Sequence, residues 1–287
     1  MKQISTYRKI RHKASKTLLR APIIWMRHRG IDRNDIMIAS YPRSGNTWLR
    51  FLLTKILTGH SAAFDDVNNV IPEIGIHKDA LHLLPGDGRL IKTHEVYRPT
   101  YKRAVYLIRD VRDVLLSQYS RENELGLVWW GDFDTYLDRF LKGTVNGFGS
   151  WQEHIPNWLD SPLAKRGDLL PIMFADMRRN TQETLESIVD FLGFAVQREV
   201  IAEAIADNTV DKMRAREASA QKLHKTNSEE GRFVRKGAVM GWRDKLTEAQ
   251  LDFIEQYAGE TMARMGFPSW KTVVKASTEQ ALTGTNA

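Results

Sequence analysis

The sequence has no cysteine among its 287 residues. Disulfide bonds, thiolate-bound metals and cysteine nucleophiles are therefore excluded, and a reducing compartment suits the sequence. The chain also lacks an apolar run near the roughly 20 residues that a membrane-spanning helix needs. No apolar signal-peptide core precedes a cleavage-like site either. We therefore expect a soluble, cytoplasmic protein, and the 42% hydrophobic content favours one elaborated domain over two.

Acidic residues are absent from residues 1–30, which hold nine of the 42 Lys and Arg residues. The remaining 257 residues carry 33 basic and 35 acidic side chains, so the net charge of +7 belongs to this first segment. The high pI therefore gives no reason to expect nucleic-acid binding by the main domain. We divide the chain into a basic N-terminal segment (1–30), a main domain (31–270) and a flexible tail (271–287).

The basic segment has a helical pattern within residues 1–21. Apolar residues recur at three- and four-residue steps, with basic residues largely opposite, namely Ile4, Tyr7, Ile10, Ala14 and Leu18 against Lys9, Lys13, Lys16 and Arg20. This pattern predicts a basic amphipathic helix that ends near Pro22. Three interpretations stay open: contact with an anionic membrane, packing on the protein's own domain, and an organelle transit peptide.

A strand, a polar turn and a helix follow one another in residues 36–57. Ile36–Ser40 is a short apolar run with β-branched residues, which is typical of a strand buried on both faces. Helical spacing starts after Asn46. A turn aimed at a helix start leaves unpaired backbone N–H groups there, and the helix dipole adds partial positive charge. Anions bind at such positions, so the sequence predicts a phosphate-binding loop, with an ordinary strand-to-helix turn as the alternative.

The side chains of this turn favour the phosphate-binding interpretation. Arg43 supplies a permanent cation, and Gly45 lets a phosphate approach the backbone closely. Ser44 and Thr47 add hydroxyl groups. The candidate phosphate-binding residues are Arg43, Ser44, Gly45, Asn46, Thr47 and Trp48. The Walker pattern is absent, because this loop lacks its first Gly and its Lys.

The sequence YPRSGNTW at residues 41–48 resembles the 5′-phosphosulfate loop of the cytosolic-type sulfotransferases, which usually is YPKSGTTW. Those enzymes move a sulfonate group from 3′-phosphoadenosine 5′-phosphosulfate (PAPS) to a hydroxyl or amine. Arg43 stands where the family has Lys, which keeps the charge and changes its geometry. The resemblance implies PAPS as the sulfonate donor, no metal, and a catalytic role for Arg43 in stabilising charge on the sulfonate.

A second candidate group ends the predicted strand Arg89–His94, whose sequence is RLIKTH. Ligands of open α/β sheets gather at the carboxyl ends of strands, where Lys92 and His94 lie. A histidine at such a position is as often structural as catalytic. The sequence KTH resembles the family's catalytic motif, which implies that His94 is the general base and that Lys92 contacts the transferring group.

A third strand is predicted over Ala104–Arg109, with a helix behind it. Arg109 and Ser117 can both reach one phosphate if the backbone turns back between them. Surface ion pairs of Arg109 with Asp110 and of Arg112 with Asp113 are the alternative. The sequence LIRDVRDVLLSQY resembles the family's 3′-phosphate segment, which implies that Arg109 and Ser117 hold the 3′-phosphate of PAPS.

Later positions complete the candidate site. Phe174 ends the predicted strand Leu169–Phe174, where the family has an aromatic residue near the nucleotide, so the resemblance implies adenine contact. FVRKGAVMGW resembles the family's closing 3′-phosphate clamp, with Arg235, Lys236 and Gly237 as its binding residues. Two neighbouring aromatics, Trp129 and Trp130, either wall an acceptor pocket or anchor a buried loop.

Further helices are predicted over Thr181–Leu192, which ends at Gly193, over Arg198–Asp211 and over Thr247–Met265. Residues 218–230 are polar without a period, and we expect them to be mobile and to close over bound nucleotide. The connection at 59–88 has no strong period and is predicted to be irregular.

These elements in series predict an α/β fold, a P-loop-like three-layer domain with a mostly parallel central sheet flanked by helices. The expected acceptor is a small molecule, lipid or sugar with a hydroxyl or amine, and the oligomeric state stays open. Two rival functions remain: a P-loop phosphotransferase, and a non-enzymatic protein that binds nucleotide or anionic lipid through residues 1–30.

Overall fold

The computed structural model describes residues 20–128, 131–221, 234 and 237–275. Within them, four parallel strands form a sheet in the order β2-β1-β3-β4. The strands are β1 (Ile36–Ser40), β2 (Leu90–Thr93), β3 (Arg103–Ile108) and β4 (Leu169–Met173). β1 lies between β2 and β3, so Ala39 has Thr93 on one side and Tyr106 on the other.

Helices cover both faces of the sheet. They are α1 (Arg20–Arg27), α2 (Asn46–Thr58), α3 (Val67–Val70), α4 (Val111–Glu124), α5 (Phe133–Leu141), α6 (Trp151–Leu159), α7 (Pro162–Lys165), α8 (Phe174–Arg179), α9 (Thr181–Leu192), α10 (Arg198–Asp207), α11 (Val210–Ser219) and α12 (Glu248–Arg264). The predicted α/β fold with a parallel sheet flanked by helices is therefore confirmed.

The alternation of side chains along β1 explains why Ile36–Ala39 are all apolar. Met37 and Ala39 pack into one core with α4, α5, α6 and α12. Ile36 and Ile38 point the other way, into a core with α2, α9 and α10. Because successive side chains of a strand point to opposite faces, a strand covered by helices on both sides carries apolar residues on both faces.

Helix ends follow their capping residues. α9 covers the predicted range and ends at Gly193, whose φ of 90° is left-handed. Thr247 and Gln250 form a capping box at the start of α12. The helix predicted over Arg198–Asp211 is instead two helices. The Asn208 side chain donates to the Ala204 carbonyl oxygen (2.8 Å) and Thr209 caps α11, so the chain restarts between them.

The N-terminal prediction is wrong about Pro22. α1 continues past this proline to Arg27, because Ile24 is buried and the Arg27 guanidinium donates to the Ile74 carbonyl oxygen (2.6 Å). A proline removes one backbone donor, and these tertiary contacts keep the helix nonetheless. The amphipathic pattern itself lies in residues 1–19, outside the described residues.

Other predictions fall partly outside the described residues. Residues 222–233 and the pairs Trp129–Trp130 and Arg235–Lys236 are not described. Residues 271–275, predicted as tail, are helical, and Val273 is buried. In the part of the chain that the structure describes, every helix is too short or too polar to cross a membrane.

Candidate active site

A cavity of about 520 Å³ opens at the carboxyl ends of the strands. β1 is followed in the chain by β2, which lies on one side of it in the sheet, and then by β3, which lies on its other side. Ligands of open α/β sheets bind beyond the strand ends at such a reversal of strand order. The predicted residues that line the cavity are Arg43, Gly45, Asn46, Thr47, Trp48, Lys92, His94, Arg109, Ser117, Phe174 and Gly237. Ser44 is buried in the same loop, and Arg235 and Lys236 lie outside the described residues.

The loop between β1 and α2 needs glycine at position 45. Gly45 has a φ of 101°, and a Cβ there would lie 2.6 Å from Cδ2 of Phe174. No described side chain caps the first turn of α2, which also has no acidic residue. Its N–H groups and dipole therefore suit an anion. Asn46 fixes the loop to the sheet, since its Nδ2 donates to the Ile38 carbonyl oxygen (2.9 Å).

His94 is held in one tautomer. Its Nδ1 lies 2.8 Å from the Ser40 carbonyl oxygen, which can only accept, so Nδ1 carries the proton and Nε2 keeps a lone pair. Burial, followed by the charge of Lys92, lowers the pKa of His94 to about 3. A neutral imidazole with a free Nε2 has the form that a general base requires.

Glu73 is a site residue that the sequence did not indicate. Residues 72–74 run beside β2, with Lys92 N–H donating to the Pro72 carbonyl oxygen (2.7 Å). Glu73 Oε2 therefore lies 3.4 Å from Lys92 Nζ. Burial lowers the pKa of Lys92, and Glu73 opposes this shift. Burial disfavours ionisation of Glu73 as well, but Lys92, His94 and Arg27 together hold the Glu73 pKa below its usual value.

The opposite side of the cavity is held by arginine side chains. Arg43 Nε donates to Ser117 Oγ (3.0 Å). Arg109 donates to the carbonyl oxygens of Arg43 (3.0 Å) and Ala238 (3.1 Å), and its guanidinium lies 4.6 Å from the Phe174 ring centroid. The Arg109 side chain, directly after β3, thus joins the loop between β1 and α2 to the segment at 237–241.

The alternative of surface ion pairs in the third motif is wrong. Arg112 is fully buried, pairs with Asp110 (2.6 Å) and lies 3.9 Å from the Trp242 ring centroid. Asp113 is buried at the cavity and accepts a hydrogen bond from the Met240 N–H (3.0 Å). Burial raises the pKa of Asp113 to about 6, although Arg109 opposes this. Arg112 and Asp113 thus hold α4 against residues 240–242 at the edge of the cavity.

Comparison with known proteins identifies the family. Residues 33–266 match the family model described as a sulfotransferase domain. The chain belongs to the sulfotransferase family. The predicted family and enzyme class are therefore confirmed, and the rival functions of phosphotransferase and non-enzymatic binding protein are not supported.

Individual relatives agree with this assignment. Sulfotransferase 2A2 of Rattus norvegicus is 30% identical to this sulfotransferase over 254 residues, which cover 83% of this chain and 87% of that protein. The crystal structure of mouse sulfotransferase SULT7A1 complexed with PAP has a TM-score of 0.64 at 24% identity, covering 84% of this chain and 89% of that one. Retinol dehydratase, solved with androsterone and the inactive cofactor PAP, has a TM-score of 0.62 at 19% identity, covering 83% of each chain. Both structures show that the fold is shared.

Proposed function

We propose that this sulfotransferase moves a sulfonate group from PAPS to a hydroxyl or amine of a small-molecule, lipid or sugar acceptor, with His94 as general base. The observation that carries the proposal is the position of His94. Its free Nε2 and the anion-binding loop belong to one cavity, with Lys92 beside them. A base, a cation and a loop for an anion are the parts that sulfonate transfer from an anionic donor requires.

The loop residues fit an anionic donor. The first turn of α2 offers uncapped N–H groups, and Arg43 adds a cation at the cavity wall. Ser44 Oγ is buried without a hydrogen-bond partner among the described residues, which is unfavourable unless a ligand satisfies it. When bound, PAPS would supply an activated sulfonate and an anionic leaving group. Arg43, Ser44, Gly45, Asn46 and Thr47 would hold the 5′ end of this donor.

His94 would take the proton of the acceptor. Nε2 accepts the proton while Nδ1 keeps its hydrogen bond to the Ser40 carbonyl oxygen, so the imidazole does not need to rotate. Lys92 and burial keep His94 neutral before the donor binds. An anion beside Lys92 would screen that cation and raise the pKa of His94 towards the working pH, which strengthens the base.

Lys92 and Arg43 would stabilise negative charge on the transferring group and on the leaving phosphate. Preplaced donors of this kind contribute about 3 kcal/mol each. Glu73 would keep Lys92 protonated and oriented, because it opposes the effect of burial on the Lys92 pKa.

The side of the cavity that contains Arg43 and Arg109 would bind the 3′-phosphate and the adenine of the nucleotide. Arg109 and Ser117 each form a hydrogen bond with Arg43, and we assign both to the 3′-phosphate. We assign Arg235, Lys236 and Gly237 to the same phosphate on the resemblance of their motif. Phe174 and Trp48 line the same cavity and offer aromatic faces to adenine.

The acceptor assignment rests on chemistry and on one relative. An imidazole base and a sulfonate electrophile suit a hydroxyl or amine nucleophile. The structure of retinol dehydratase contains androsterone. That complex shows a small molecule bound to a protein of the same fold, and we assign a small molecule, lipid or sugar to this chain as acceptor.

Calorimetric titration tests the donor assignment. The protein is titrated with 3′-phosphoadenosine 5′-phosphate, AMP and ATP, and the expected preference for the 3′-phosphate is about tenfold to a hundredfold. Arg109→Ala should abolish that preference, and Ser117→Ala should reduce it without breaking the contacts of Arg109. Arg179→Ala, an exposed arginine outside the cavity, is the matched control. Preference for ATP, or binding that ignores the 3′-phosphate, would contradict the proposal.

A further inference from the structure

The exposed side of α1 is apolar. Ile23, Trp25 and Met26 are 42%, 64% and 55% exposed. Among residues 21–27, Ile24 alone is buried. A helix that only packs on its own domain places its apolar side chains inward and its polar side chains outward. α1 does the reverse along most of its length.

Another exposed apolar residue belongs to a segment beside α1. The Arg27 side chain contacts Gly75 and donates to the Ile74 carbonyl oxygen, so the segment at 74–78 lies beside α1. Ile76 in that segment is 61% exposed. We call Ile23, Trp25, Met26 and Ile76 the α1 patch. Exposed apolar residues that are grouped in this way mark an interaction surface more often than single ones do.

Positive charge accompanies the patch. Residues 1–30 carry nine basic side chains and no acid. The Arg29 guanidinium lies 5.2 Å from the centroid of the Trp25 ring, so one described cation lies beside the exposed apolar side chains. The partner should therefore be anionic.

The combination selects among anionic partners. Nucleic acids attract basic side chains through their phosphates, but exposed aliphatic side chains add little to that attraction. The interface of an anionic lipid bilayer takes both, since acyl chains receive Trp, Ile and Met while the headgroups attract Lys and Arg. Basic charge together with hydrophobic side chains also provides the two signals that stable peripheral attachment needs.

We propose that the α1 patch, with Arg29 beside it, binds the surface of an anionic lipid bilayer. This binding site is distinct from the cavity, since none of the four patch residues lines it. The protein would bind peripherally, with Trp25 and Met26 inserted at the level of the headgroups.

Co-sedimentation of the full chain with vesicles tests this proposal. We expect binding to phosphatidylcholine vesicles that contain phosphatidylglycerol to be at least about tenfold stronger than binding to pure phosphatidylcholine. Release is expected at about 1 M NaCl, where the Debye length falls to about 3 Å. The double variant Trp25→Glu/Met26→Glu should lose about tenfold or more of the affinity, since it removes inserted apolar area and adds like charges.

The control is Tyr257→Glu, which places a carboxylate on an exposed aromatic position of α12 and should keep vesicle binding. Nucleotide affinity and thermal unfolding of both variants show whether the fold is intact, and the milder Trp25→Ser replaces the double variant if that one unfolds. Equal binding to neutral vesicles, unchanged binding by the patch variants, binding to RNA instead of vesicles, or patch-dependent self-association without vesicle binding would each overturn the proposal.

Discussion

Two sides of the cavity use charge in different ways. In the proposed catalytic corner, formed by Ser40, Glu73, Lys92 and His94, the pKa values respond to burial and to the neighbouring charges. The nucleotide wall, formed by Arg43, Arg109, Ser117 and Phe174, consists of arginines tied to other segments by hydrogen bonds, with an aromatic ring beneath one guanidinium.

The two sides of the cavity therefore depend on different properties: one on the protonation states of its side chains, the other on the positions of its fixed charges. Lysine and histidine respond to burial by changing their pKa, whereas arginine stays charged and offers a fixed fork of donors. Substitutions in the catalytic corner should therefore change turnover and its pH dependence. Substitutions in the nucleotide wall should change nucleotide affinity and leave the pH dependence alone.

The largest effect is expected for His94→Ala. Loss of a general base should lower kcat by about 10²–10⁴-fold. The dissociation constant for 3′-phosphoadenosine 5′-phosphate should change by less than about threefold, since the wall is intact. Steady-state kinetics and calorimetry measure the two quantities, with His82→Ala, outside the cavity, as control. Turnover within tenfold of the parent enzyme, or an equal loss of nucleotide affinity, would remove the distinction between the two sides.

Lys92→Met comes next, with a predicted fall in kcat of about 10²–10³-fold because one preplaced cation is lost. The variant should also shift the pH profile. In the proposed mechanism neutral His94 is the active form, and burial and the charge of Lys92 both lower its pKa. Without that cation His94 binds a proton more readily, so the acid limb of kcat should move up by about one pH unit.

The pH–rate profile of the donor-saturated enzyme measures this shift. Lys142→Met, which removes an exposed lysine paired with Asp138, should leave the limb in place. A limb that stays fixed in Lys92→Met, or that moves to lower pH, would show that Lys92 does not set the protonation of His94.

Phe174→Leu is the smallest of the three effects and concerns the wall. Loss of base stacking should weaken binding of 3′-phosphoadenosine 5′-phosphate about tenfold, with kcat and its pH limb unchanged. Phe191→Leu is a close control, because an arginine also lies 4.6 Å from the Phe191 ring centroid, outside the cavity. The role of Phe174 is refuted if both variants lose the same affinity, or if the pH limb moves.

Local patterns in the sequence predicted the part of the site that lies at the ends of the strands. Polar residues at the ends of apolar runs indicated that the turn at 41–48, Lys92 and His94 would meet at one edge of the sheet, and the cavity brings them together. Ser40 was not identified as a partner of His94, because that contact depends on the register of β1 against β2. Register is decided by packing along the whole strand.

Long-range contacts account for the other differences. Glu73 belongs to an aperiodic stretch and reaches Lys92 only because its backbone runs beside β2. The sequence suggested surface pairs of Arg109 with Asp110 and of Arg112 with Asp113, but Arg112 is buried against Trp242, far downstream, and pairs with Asp110. Pro22 stays helical because Arg27 is anchored to Ile74. In each case a partner distant in sequence overrides the local preference.

The hydrogen bond from His94 to Ser40 limits how the enzyme can vary. Its acceptor is a main-chain carbonyl oxygen, so no substitution at position 40 removes it while β1 and β2 keep their register. In the proposed mechanism, the nitrogen that would receive the proton is thus determined by sheet geometry and not by a replaceable side chain. Substitutions around the cavity could change which acceptor binds, but in the proposed mechanism the acceptor's proton would still be transferred to His94 Nε2.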